Sequence, residues 1–134
     1  MRAPLPLPAL HATHAGIWVA AGGETREASR GEAIARLADT PHIILNAPLV
    51  GPRLGYADVS GLDLLELFAF VFPARFAVPT PHGLAQAVEL EPPASDDEAG
   101  DFLRRAAATL LGVLDCDWPE REGAWSSAQA LGRL

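Results

Sequence analysis

The chain has no lysine, a single cysteine and no long apolar run. All ten basic residues are arginines and stand against seventeen acidic residues, which gives a net charge of −7. This balance argues against a domain that binds nucleic acid through its own charge, because neutralised phosphates supply most non-specific affinity. The lack of lysine also excludes the phosphate-binding loop G-x-x-x-x-G-K-[ST], and with it ATP hydrolysis by that route.

The lone cysteine, Cys116, excludes an internal disulfide and a cysteine-based zinc site. The N-terminal apolar run is broken by prolines, so it lacks the continuous apolar segment of a signal peptide. No stretch approaches the ~18 apolar residues of a membrane span. With 49% apolar residues, the composition predicts a globular, cytoplasmic protein that has no membrane partner.

We predict a Pro-rich N-terminal arm at residues 1–15 and one small α/β domain at residues 16–134. Pro alternates with Leu and Ala in the first ten residues, which favours an extended segment. The run GIWVAA at residues 16–21 is typical of a short strand, and GGE followed by TREAS predicts a hairpin. The run HIILNA predicts a buried strand, and a Gly/Pro-rich loop is expected to follow Asn46.

Capping signals predict four helix starts. Ser29, Ser60 and Ser95 each precede an acidic residue three positions later, which is the pattern of a capping box. Thr80 followed by Pro81 is typical of an N-cap with proline at the first helical position. Together with the strands, this order predicts an α/β fold in which a short sheet packs against about four to five helices.

The helix predicted at residues 63–72 is apolar on nearly every side. Asp63 and Glu66 are its polar side chains, so the remaining surface must be covered on at least two sides. Either this helix is central in the domain, or one of its faces meets a partner. We predict docking through the Pro-rich arm and through apolar side chains here and near the C-terminus, namely Leu65, Phe68, Phe72, Trp118 and Trp125.

Residues 46–72, together with DWPEREGAW at residues 117–125, resemble the N-terminal region of bacterial DinG-like ATP-dependent DNA helicases. The resemblance implies that the ATPase and helicase motifs, with their ATP and Mg²⁺, lie in a longer parent chain. It also implies that this fragment needs no cofactor of its own. The ending AQALGRL, which is in mid-helix pattern, agrees with a longer chain.

The central region is also similar to the later half of a DEDD-type exonuclease domain, which implies a truncated ribonuclease H-like fold. HIILNA is similar to the strand that ends in His-Asn, and GLDLLELFAFVFP to the helix near Asp-Thr-Leu-Glu-Leu. TPHGLAQAVEL and SDDEAGDFLRRAAATLL are similar to the two helices that follow. On this resemblance, Asn46, Asp63 and Asp97 (or Asp96 beside it) mark a vestigial site.

The acids that exonuclease chemistry requires are nevertheless incomplete. Two divalent ions roughly 4 Å apart need carboxylates that converge from several elements, four in this family. The resemblance places an Asp-x-Glu pair in the first strand, but residues 16–21 contain no acid. It places a second Asp where this chain has Val50, and a His where it has Pro92. We therefore predict neither a catalytic residue nor a bound metal.

The four histidines offer no alternative site. His11 and His14 form H-x-x-H in the predicted arm, and without a third ligand this pattern indicates surface histidines rather than zinc ligands. His42, at a strand start, and His82, in a first helical turn, are expected to be exposed or to cap backbone groups.

These observations predict a non-catalytic accessory domain: a pseudo-exonuclease that docks on the helicase core of its own chain or on another partner, in DNA repair or replication. DNA would then be contacted through the parent protein. An enzyme alternative is a metal-dependent nuclease with unusual acids, such as Asp58, Asp63, Asp96 and Asp97. A third alternative is a binding module that forms a homodimer through the apolar helix.

Overall fold

The computed structural model describes residues 7–56, 59 and 61–114. Within these ranges the chain forms five strands and five helices, which are β1 Ala9–Ala12, β2 Ile17–Ala21, β3 Glu24–Glu27, α1 Arg30–Asp39, β4 His42–Ile44, α2 Ala47–Leu54, β5 Gly61–Asp63, α3 Leu64–Val71, α4 Pro81–Val88 and α5 Asp96–Leu114. None of the described helices combines the length and the apolar character needed to cross a membrane.

The strands form one mixed sheet in the order β3-β2-β1-β4-β5. Strands β1, β2 and β3 are antiparallel neighbours, and β2 and β3 form the predicted hairpin. Strand β4 pairs in parallel with β1 on one side and with β5 on the other. The prediction of a small α/β fold is therefore confirmed, with β1 at the centre of the sheet.

Helices cover both faces of the sheet, because alternate residues of a strand point to opposite faces. Ala9 and Ile43 belong to a core cluster with residues of α3, α4 and α5. Leu10 and Ile44, the next residues along the same strands, belong to a second cluster with residues of α1 and α2. On the first face α5 lies very close to β2, since a Cβ atom added at Gly100 would stand 2.8 Å from the Cβ of Ala20.

Strand β1 corrects the predicted N-terminal arm. Residues 9–12 lie inside the predicted arm at 1–15, yet all four are buried in the middle of the sheet. The segment is extended, as its prolines suggested, but the last of these prolines is Pro8. The residues that follow have free N–H groups and pair with two neighbouring strands. Residues 16–21 consequently belong to the second strand rather than the first.

The predicted Gly/Pro-rich loop after Asn46 is instead the helix α2. Val50 and Leu54, four residues apart, are buried in the core. The N-terminal amides of α2 are capped from a distance, because Asn46 N and Ala47 N donate to the two carboxylate oxygens of Asp63 at 2.9 and 2.7 Å. The local Pro and Gly content did not predict α2, because the carboxylate that caps this helix lies sixteen residues further along the chain.

Helix starts with local caps were predicted more reliably. Ser29 accepts a hydrogen bond from Glu32 N, and Thr80 accepts one from Gly83 N, as expected of N-caps. Helix α5 begins at Asp96, directly after Ser95. The capping box predicted at Ser60 is wrong, because the helix begins three residues later than expected. Asp63 is the last residue of β5 and is itself the N-cap of α3. Ser60 lies outside the described residues.

Candidate functional site

A cleft of about 570 Å³ opens where the parallel strands β1 and β4 end. Its polar lining comes from Thr13 after β1, from Arg53 on α2, and from the first turns of α4 and α5. In open α/β sheets, ligands bind in the crevice at the carboxyl ends of neighbouring strands. The position of this cleft makes it the best candidate for a functional site among the described residues.

His11 joins the floor of the cleft to the start of α5. It lies in β1 and is only 9% exposed, and its Nε2 is 3.4 Å from Asp96 Oδ1. Burial lowers the pKa of this imidazole below its ordinary value of 6.5, the contact with Asp96 opposes that shift, and the charge of Arg53 adds to it. The His11–Asp96 contact is long, and the Asp96 side chain stays 46% exposed. Its carboxylate therefore retains acceptor capacity toward the cleft.

Arg53 brings a fixed cation into the same cleft. Its Nη1 donates to the carbonyl oxygen of Ala12 at 2.6 Å, which ties the last turn of α2 to the end of β1. Its Nε is buried and has no hydrogen-bond partner among the described residues. A guanidinium anchored at one nitrogen keeps further N–H donors for another acceptor. The sequence offered only weak signals for this site, since neither His11 in a Pro-rich arm nor Arg53 in an apparent loop stood out.

The three residues of the predicted vestigial site do not form one centre. Asn46 and Asp63 do lie together, through the hydrogen bond from Asn46 N to Asp63 Oδ1. Asp63 also accepts from Ala47 N and, at 3.0 Å, from Leu65 N, so its carboxylate is committed to the N-termini of two helices. Asp97 lines a separate depression beside Glu98 and Asp101. Its neighbour Asp96 is the acid that faces the cleft.

The predicted surface position is wrong for His11, whereas His42, which was expected to be exposed or to cap a backbone group, is buried and does contact one. His14 and His82 are exposed, as expected, and His82 lines the cleft. His11 and His42 are instead buried, because both lie in central strands of the sheet. Burial lowers the pKa of His42, whose Nδ1 contacts the carbonyl oxygen of Thr40 at 2.7 Å. No group of three histidine, cysteine or acidic residues within the described ranges is arranged to hold a metal ion.

The predicted docking residues are mostly covered by the chain itself. Phe68 is 3% exposed in the core, while Leu65 and Phe72 are half-buried against it. Helix α3 is thus largely central, because α5 packs along it. Trp118 and Trp125 lie outside the described residues, as does Asp58. Among the residues that the structure describes, the exposed large apolar side chains are instead Phe76 at 82%, Val78 at 50% and Leu49 at 39%.

No family model, curated protein or solved structure matches this chain. The resemblance to DinG-like helicases and to DEDD-type exonucleases therefore stays a prediction from the sequence. The geometry of the cleft has to support any functional proposal.

Proposed function

We propose that this chain is a non-catalytic accessory domain with an exonuclease-like fold, belonging to a DinG-like ATP-dependent DNA helicase. The strand order β3-β2-β1-β4-β5, antiparallel up to β1 and parallel beyond it, is the order of ribonuclease H-like folds. That order supports the exonuclease resemblance independently of the sequence motifs. The parent's DNA repair or replication role, its ATP and its Mg²⁺ are parts of the same proposal.

The observation that carries the proposal is the carboxylate content of the cleft. Strand β1, where the resemblance requires an Asp-x-Glu pair, reads Ala-Leu-His-Ala. Residue 50, where a second Asp is required, is a buried valine. Asp96 is the one acidic side chain that lines the cleft among the described residues. One carboxylate in contact with a histidine, beside a guanidinium, does not fit a centre of two divalent cations.

The alternative of a nuclease with unusual acids gains no support from the geometry. Asp63 is buried, and its carboxylate already accepts from three backbone amides, so little acceptor capacity is left for a metal. Asp97 faces a different depression from Asp96. We therefore favour a domain that binds. We propose that it contacts the helicase core through its exposed loop residues Phe76 and Val78, because Phe68 is buried. A homodimer through helix α3 is also less favoured, because the apolar side chains of this helix are largely covered by the chain itself.

A nuclease assay on the 134-residue chain tests this function. End-labelled single-stranded DNA is incubated with the purified protein in Mg²⁺ or Mn²⁺, beside an Asp96→Asn variant prepared in parallel. We expect no cleavage by either protein above the level seen in EDTA. Metal-dependent cleavage by the unaltered chain that Asp96→Asn abolishes would refute the proposal, because the cleft would then be an active centre.

A further inference from the structure

The cleft differs from a two-metal site in its balance of fixed charge. A two-metal centre concentrates negative charge from carboxylates, whereas this cleft contains the guanidinium of Arg53 and two imidazoles, His11 and His82. Both Arg53 and His11 line the cleft, and burial and, to a smaller extent, the charge of Arg53 lower the pKa of His11. Asp96 opposes these groups, but it is half-exposed and in contact with His11. The charges of Arg53 and Asp96 formally cancel, so a divalent cation here would find no net negative charge to hold it.

Arg53 is positioned to bind an oxyanion. The hydrogen bond from Nη1 to the Ala12 carbonyl fixes the side chain, so little side-chain entropy remains to be lost on binding. Nε is buried and has no partner in the described part of the chain, so the donors left to a ligand are the remaining N–H groups of the Nη nitrogens. Arg53 therefore supplies the cleft with an anchored cation that keeps N–H donors for an oxyanion.

The remaining donors favour phosphate over carboxylate. Thr13 and His82 line the same cleft, and the Thr13 hydroxyl, which accepts from Ala15 N, keeps its own O–H donor. The Ser95 hydroxyl is already used, because it donates to Asp97 Oδ1. A terminal phosphate offers three acceptor oxygens, one more than a carboxylate can. The volume of about 570 Å³ lies within the range of small-molecule sites. Leu45, Val50 and Pro93 supply an apolar wall against which the rest of such a ligand can pack.

We propose that this cleft binds a phosphate monoester directly through Arg53, without a divalent metal. This inference takes one point from the proposed function, namely that the cleft is non-catalytic. The phosphate could be carried by a small metabolite or by the end of a nucleic-acid strand, and the chemistry at Arg53 is the same in both cases. Asp96 then acts against binding, since it places a negative charge near the bound anion.

Calorimetric titration of the 134-residue chain in EDTA tests the proposal. The probes are inorganic phosphate, ribose 5-phosphate and a short 5′-phosphorylated oligonucleotide, with sodium acetate as the planar anion for comparison. We expect saturable binding of phosphate in the millimolar range, of order 4 kcal/mol, and weaker binding of acetate. Tighter binding of ribose 5-phosphate than of the oligonucleotide would identify a small ligand, and the reverse order a strand end.

Three variants assign the binding to the cleft. Arg53→Gln should weaken phosphate binding at least tenfold, and Arg53→Lys, which keeps the charge but loses the paired donors, should weaken it less. Arg105→Gln removes the same charge from an exposed position of α5, where Arg105 pairs with Asp101, and should leave binding unchanged. Asp96→Asn should strengthen phosphate binding a few-fold, the opposite of its effect on any metal site.

Several results would overturn the inference. These are absence of saturable phosphate binding in EDTA, equal losses in Arg53→Lys and Arg105→Gln, or weaker phosphate binding in Asp96→Asn. Binding that appears only when Mn²⁺ is added would also contradict it. The nuclease assay is independent of these binding measurements. If phosphate does not bind, the proposed accessory role is unaffected. If the chain cleaves DNA, that role is refuted whether or not phosphate binds.

Discussion

Two aspartates near the carboxyl ends of the parallel strands have opposite surroundings. Asp63, at the end of β5, is 5% exposed and accepts hydrogen bonds from three backbone amides. Asp96, beside the end of β1, is half-exposed and makes one long contact, with His11. The first carboxylate is saturated within the fold and acts on stability, while the second keeps acceptor capacity toward a cleft. A resemblance in sequence marked both positions without distinguishing these roles.

The largest expected effect is the loss of the Asp63 carboxylate. Asp63→Ala leaves the first amides of α2 and α3 without acceptors, and we expect the free energy of unfolding to fall by about 3 kcal/mol. Urea denaturation followed by circular dichroism measures the change. The matched control is Asp101→Ala, which breaks an exposed i,i+4 pair with Arg105 and should change stability by less than about 0.5 kcal/mol. Equal losses in the two variants would show that the caps contribute little.

A second test addresses the backbone that positions Asp63. Gly61 has φ +150, and a Cβ atom there would lie 2.2 Å from the carbonyl oxygen of His42. Gly61→Ala should therefore separate β5 from β4 and destabilise the fold by about 2 kcal/mol more than Gly22→Ala. Gly22 also has a positive φ, +60, but open space around it. Gly22→Ala therefore measures the cost of backbone strain alone, without a steric clash. Similar denaturation midpoints for the two variants would contradict this explanation.

At the cleft, the corresponding change should be mild. Asp96→Asn keeps the shape of the side chain and removes a charge that is largely solvated, so we expect the free energy of unfolding to change by less than about 1 kcal/mol. The same denaturation experiment as for Asp63 allows a direct comparison. A loss as large as that of Asp63→Ala would mean that Asp96 is a structural residue, and the contrast between the two carboxylates would fail.

The smallest expected effect is a pH dependence of stability due to buried imidazoles. Burial lowers the pKa of both His11 and His42 in the folded state, so the unfolded chain takes up these protons first. Stability should consequently decrease as pH falls through about 6.5, the ordinary histidine pKa, and level off below the folded-state values. Thermal melts between pH 8 and 5 measure this. His11→Gln should flatten the profile, whereas Asp96→Asn, which removes the contact that raises the His11 pKa, should steepen it.

The sequence predicted those parts of the fold that depend on neighbours along the chain. The caps at Ser29 and Thr80 lie within three residues of the amides they bind, so their patterns predicted α1 and α4 correctly. The β2–β3 hairpin was found for the same reason. Helix α2 was missed because its capping carboxylate comes from Asp63, after an intervening segment.

The candidate site was harder to predict than the fold. His11 is surrounded by prolines and alanines in the sequence, and its partner Asp96 is 85 residues away. The contact exists because β1 takes the central place in the sheet and α5 begins over its end, and neither fact is encoded in a local pattern. The shortage of acids, in contrast, was visible in the sequence, since no folding can supply carboxylates that β1 and residue 50 lack.

The central claim is that the cleft at the ends of β1 and β4 does not hold a pair of divalent cations. Anomalous diffraction from crystals of the 134-residue chain soaked in Mn²⁺ tests it most directly. The account predicts no pair of manganese peaks between Asp96 and the end of β1, whatever single ions bind elsewhere. Two peaks roughly 4 Å apart that share Asp96 as a ligand would contradict it.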